Sequence, residues 1–160
     1  MRYASLADEL GLGLSPAFAR DRQFFLAIFA APLALALMAL LLPVPGGAIA
    51  LSIPILLSMV LLQPLVEELL FRGVIQGQLE KASWARHRLA GLSVANFFTT
   101  LLFALAHLVH HAPLWAAGVI IPSLVFGHFR DRHRQVFPAF LLHAFYNGCY
   151  LLAGMVSALL

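Results

Sequence analysis

From Phe24 to Leu42 the chain runs 19 residues without a charged side chain. At about 1.5 Å per residue a helix of that length crosses a hydrocarbon core about 30 Å thick. Lipid offers no partner to backbone polar groups, so such runs fold as helices that satisfy their own N–H and C=O groups. Four more apolar runs follow: Ile49 to Val66, continuing through Glu67 and Arg72 to about Leu79, then Leu92 to Val109, Leu114 to Phe129, and Val136 to Leu160. The expected fold is all-α, a polytopic transmembrane helix bundle of about five spans. Residues 1–160 form one membrane-embedded domain in this reading, with 1–23 a cytoplasmic or interfacial segment and 49–155 the core. Pro43-Val44-Pro45-Gly46-Gly47 predicts a turn between the first two spans, since proline removes donors and glycine admits positive φ.

Composition excludes the other classes. With 62% hydrophobic and 11% charged residues, the chain lies far from the soluble norm of about 45–50% apolar and 25% charged. Its net charge of +3 comes from basic residues clustered between the apolar runs, which argues for orientation signals and against a nucleic-acid partner. Arg2, Arg20 and Arg22 precede the first run, Lys81, Arg86 and Arg88 follow the second, and Arg130, Arg132 and Arg134 follow the fourth. The positive-inside rule then places the N-terminus in the cytoplasm and the C-terminus outside. A single cysteine, Cys149, excludes an internal disulfide and any multi-thiolate metal site.

Glu67, Glu68 and Arg72 are the ionisable residues that fall well inside a run. Each costs about 2.5–3.5 kcal/mol on insertion scales, so such groups are paired or functional. Glu68 and Arg72 are spaced i,i+4 and predict a structural ion pair. Glu67 points about 100° away on a helix and needs another partner. Pro64 adds a break, expected to leave the Val60 carbonyl without a donor. Candidate partners lie on other runs: His107 on the third, and His143 with Asn147 at i,i+4 on the fifth. Counted from the ends nearest the basic clusters, the four groups sit about 10–22 Å deep and can meet in one layer.

Glu67-Glu68-x-x-x-Arg72, Phe103-x-x-x-His107 and His143-x-x-x-Asn147, in that order on successive apolar helices, resemble the three motifs of the CAAX-protease and bacteriocin-processing family. The resemblance covers roughly residues 49–155 and implies a glutamic-type intramembrane endopeptidase, similar to the type II CAAX prenyl proteases. It implies that Glu67 and His107 activate water while His143 and Asn147 assist the oxyanion, with Glu68 and Arg72 in support and no cofactor. Implied partners are membrane lipid and a membrane-associated protein or peptide substrate. The short chain points to a compact prokaryotic branch and the cytoplasmic membrane.

Chemistry supports the same roles, because non-covalent peptide hydrolysis needs a base for water and donors for the tetrahedral oxyanion. Aspartyl proteolysis is disfavoured, as Asp8, Asp21 and Asp131 fall outside the runs, and no serine sits in a nucleophile-elbow context. Two alternatives stay open. Glu67, His107 and His143 have the composition of a His₂Glu zinc set, and a non-catalytic immunity or scaffold protein could keep the same cluster for packing. Gly73 and Gly77 predict close approach of a neighbouring helix, and His110 and His111 a solvated loop.

Overall fold

The computed structural model describes residues 5–41 and 52–159, so the Pro43–Gly47 turn lies outside the described residues. Within them the chain is all-α apart from one small hairpin. Helix α1 spans Leu6–Leu10, capped by the Ser5 hydroxyl and ended by Gly11 at φ 68°, a left-handed value that glycine adopts without strain. A 3₁₀ turn, Pro16–Arg20, leads into α2, Arg22–Leu41. The long helix α3 runs Ile53–Leu79. Ala90 and Gly91, at φ 50° and 85°, form the two-residue turn of the hairpin β1 (Arg88–Leu89) and β2 (Leu92–Ser93). Helices α4 (Val94–His107), α5 (Pro113–Gly118), α6 (Ile120–His133) and α7 (Phe137–Leu159) complete the order.

Helix lengths bear out only part of the five-span expectation. Among the described residues α3, at 27 residues, is the one helix long and apolar enough to cross a membrane, and 11% of its most apolar stretch is buried. That exposure is the reverse of a soluble core helix. Helix α4 has 14 residues, about 21 Å, because Leu92 and Ser93 are drawn into the hairpin and Ser93 caps the helix through the Asn96 N–H. The expected fourth span is divided at Gly118 and Val119, and its second part continues past Phe129 to His133. Arg130 and Asp131 therefore lie inside a helix and are buried, not in a loop as the sequence reading placed them. Their buried partners let the helix continue.

The core joins α2, α6 and α7, where Phe24, Phe126, Phe129, Ala139 and Leu142 pack with Phe18 and Tyr146 at the edge. The Tyr146 hydroxyl donates to the Ala27 carbonyl at 2.8 Å, tying α7 to α2. Phe25, Leu26, Phe29, Leu101, Leu105, Ile121 and Leu152 are exposed, large apolar side chains that suit lipid better than water. The segment before α2 is more than an interfacial float. The Val136 N–H donates to the Gly11 carbonyl at 2.8 Å, and a Cβ on Gly73 or Gly77 would stand 3.2 Å or 3.0 Å from the Leu10 or Glu9 carbonyl. The helix that approaches this glycine pair is α1.

Candidate active site

Helix α3 is not uniformly wound. Ser58–Leu62 and Leu69–Gln76 are π-wound, and Gln63–Glu68 between them is α-helical. In the first π turn the Gln63 N–H bonds to the Ser58 carbonyl, five residues back. The next N–H in that pattern belongs to residue 64, a proline, so in the π-wound turn the Met59 carbonyl is the one that loses its donor. Asn147 of α7 supplies what is missing: its Nδ2 donates to the Met59 carbonyl at 3.0 Å. The Pro64 break and the third motif are thus one device, which holds α7 against α3 a few residues before the carboxylates.

Glu68 is fully buried. Its Oε1 accepts from Arg72 Nη1 at 2.9 Å and from His143 Nδ1 at 2.8 Å, so the expected i,i+4 ion pair forms and also recruits a residue of α7. Arg72 Nη2 donates to the carbonyl and the Oγ of Ser123 on α6, at 2.9 Å and 2.7 Å. Its guanidinium carbon lies 4.7 Å and 5.5 Å from the ring centres of Phe103 and Phe126, a cation–π setting for a charge removed from water. Phe126 also stacks on His143, with centres 5.0 Å apart and planes 20° apart. An imidazole held on one face by a ring and at one nitrogen by a carboxylate has a fixed orientation.

Glu67 has a different environment. Its side chain is 34% exposed where that of Glu68 is 0%, and its Oε2 lies 3.7 Å from His143 Nε2. The two nitrogens of His143 therefore face the two adjacent carboxylates. His107, at the end of α4, places Nδ1 2.9 Å from the Phe103 carbonyl. A carbonyl only accepts, so Nδ1 carries the hydrogen, and in the neutral ring Nε2 is the nitrogen with the lone pair. The His107 and Phe103 ring centres are 4.4 Å apart, and Phe103 meets His143 edge-on at 5.9 Å. The structure thus brings Glu67 and Glu68 to His143, Asn147 to the backbone beside them, and His107 against the Phe103 ring, which also meets His143. Among the described residues no three His, Cys, Asp or Glu side chains are grouped to hold a metal ion, and His143 Nδ1, which a zinc set could use, is committed to Glu68. His110 and His111 are exposed in a turn, as expected.

A second polar layer went unseen in the sequence. Gln76 Nε2 donates to the Gly127 carbonyl at 3.0 Å and to Asp131 Oδ1 at 2.6 Å, and the Ser93 N–H donates to Asp131 Oδ2 at 3.3 Å. The buried Arg130 donates from Nε to the Arg72 carbonyl at 3.1 Å and from Nη2 to the Glu9 carbonyl at 3.2 Å. Just beyond α3, burial pushes the Glu80 carboxyl up to about 7, helped by a hydrogen bond with Asp131 and opposed by Arg130 and Arg134. A signal was present: Gln76 lies one helical turn beyond Arg72 on the same face of α3.

Helices with an apolar exterior thus enclose carboxylate, imidazole and guanidinium groups around one partly open glutamate. A family model described as type II CAAX prenyl endopeptidase Rce1-like matches residues 48–149, and the chain belongs to that family. It is accordingly a membrane protein and, at this general level, a CAAX-type intramembrane protease. No curated protein and no solved structure matches the chain.

Proposed function

We propose that the chain is a glutamic-type intramembrane endopeptidase that hydrolyses a peptide bond of a membrane-associated protein or peptide. The carrying observation is the unequal setting of adjacent carboxylates. Glu68 is closed off, its Oε1 held by both Arg72 and His143, while Glu67 is one-third exposed. In this reading Glu67, aided by the Nε2 lone pair of His107, takes a proton from water as the oxygen attacks the scissile carbonyl. His143, through a proton on Nε2, and the second Nδ2 hydrogen of Asn147 receive the oxyanion. Glu67 then passes its proton to the leaving nitrogen as the C–N bond breaks, which balances the hydrolysis.

The domain reading accompanies this proposal: a single membrane-embedded unit of about five spans in a prokaryotic cytoplasmic membrane, N-terminus inside and C-terminus outside. Reporter fusions after Ala48 and at the C-terminus test it, since both should report an external location. The activity itself is tested with purified protein in liposomes and a quenched peptide carrying a membrane anchor. Turnover should persist in a strong chelator and vanish in Glu67→Gln. Absence of any cleavage would favour the scaffold alternative, and loss of turnover on chelation with return on Zn²⁺ would favour the metalloprotease.

A further inference from the structure

The hydrogen bonds beyond Arg72 run in one direction. Arg72 Nη2 can only donate, so Ser123 Oγ accepts from it at 2.7 Å and must send its own hydrogen elsewhere. That hydrogen goes to Thr100 Oγ1, 3.0 Å away on α4. Thr100 in turn donates to Asn96 Oδ1 at 3.2 Å, and Asn96 Nδ2 closes the chain on the Leu124 carbonyl at 2.9 Å. Asn96 is itself anchored, because its N–H bonds to the Ser93 cap at 3.0 Å. Asn96, Thr100, Ser123 and Arg72 are all buried, so no water competes for these protons. At the opposite end the same guanidinium feeds Glu68 Oε1, which receives His143 Nδ1.

We propose that Ser123 and Thr100 are positioning residues for His143, acting through Arg72 and Glu68 as a hydrogen-bonded relay from α4 across α6 and α3 to α7. Arg72 lies four residues from Glu68 on the same helix, and that spacing alone leaves its fork free to rotate. Two acceptors on Ser123 fix it from a second helix. With the fork fixed, Glu68 Oε1 stands where it takes the Nδ1 hydrogen of His143. The Nε2 of His143 is then the nitrogen that faces Glu67. Loss of either hydroxyl leaves a buried partner unmatched, loosens Arg72, and reaches His143 without touching the site. Coupling through such networks changes rates by about three- to thirtyfold. The inference rests on the roles proposed above for Glu67 and His143, and its test includes a reading that needs no turnover.

The experiment uses the full chain in nanodiscs with ¹⁵N-labelled histidine, the His143 signals being assigned by their loss in His143→Ala. Thr100→Val keeps the side-chain shape and removes the hydroxyl, Thr100→Ser keeps the hydroxyl, and Ser123→Ala removes the relay's centre. In wild type the Nδ1 hydrogen of His143 should lie far downfield. It should move upfield in Thr100→Val and in Ser123→Ala, with kcat down about three- to thirtyfold and KM unchanged. Thr100→Ser should restore both. A His143 signal that stays put in Thr100→Val overturns the proposal, and that shape-preserving variant carries the test if Ser123→Ala fails to fold. Should the signal move as expected while Glu67→Gln still turns over, the relay stands and the glutamate mechanism falls.

Discussion

Asn147 donates its side-chain amide to the Met59 carbonyl at 3.0 Å, the acceptor that Pro64 leaves empty in a π-wound turn. The asparagine of the third motif therefore repairs the backbone of the neighbouring helix, and one of its two amide hydrogens is spent there. An unmet carbonyl costs up to about 1–3 kcal/mol when buried, and this one is half-buried. Asn147→Ala should lower thermal stability by that order and lower turnover as well. Adding Pro64→Ala returns an N–H to Met59, so the double variant should regain its melting temperature and stay slow. Recovery of turnover in the double variant would limit Asn147 to a packing role.

The adjacent carboxylates should fail in different ways. Glu67→Gln, at a partly open position, should leave the melting temperature near wild type while turnover disappears. Glu68→Ala strands Arg72, a buried cation, and should destabilise by about 3–5 kcal/mol, the usual penalty for breaking a buried pair from one side. Parallel melting and turnover measurements on the two variants check this, and equal destabilisation would remove the distinction.

Gly127 should tolerate no side chain. A Cβ there would stand 2.0 Å from Asn96 Oδ1 and 2.4 Å from Cγ, inside any contact distance, and Asn96 is pinned by its bonds to Leu124 and Thr100. Gly127→Ala should destabilise by about 1–3 kcal/mol or more, the range for overpacking. Gly13→Ala, with nothing within 4 Å of the new carbon, is the matched control and should melt like wild type.

Glu80 should make stability depend on pH. Its carboxyl is raised from 4.5 to about 7 in the folded chain, so between those values the folded state holds a proton that the unfolded state has released. Stability from this group is full below about pH 4.5 and declines as pH rises towards 7. Melting curves from pH 4.5 to 8 should therefore show a smaller decline for Glu80→Gln than for wild type. Identical slopes would show that Glu80 does not titrate in this window.

Much of the site was legible in the sequence because apolar helices make charge conspicuous. Glu67, Glu68 and Arg72 stand out in α3 for that reason, and helical periodicity alone assigns Glu68 to Arg72, a pairing that forms at 2.9 Å. The all-α class follows equally directly, since lipid-soluble runs must bond their own backbone. Span lengths were less legible. Hydropathy reads Arg130 and Asp131 as a loop, yet buried partners on α1, α3 and β2 keep both in α6.

What the sequence determined by itself is the set of polar groups and their spacing along each helix, because both follow from residue identity and from 3.6 residues per turn. Only the tertiary structure decided which groups on different helices meet. It sets His143 against both glutamates, gives Asn147 to the carbonyl that the π-wound turn before Pro64 leaves without a backbone donor, and routes Arg72 through Ser123 to Thr100. The physical reason is that buried donors and acceptors must find partners. A partner on another helix is chosen by packing angle, winding and side-chain volume, which no single stretch of sequence contains.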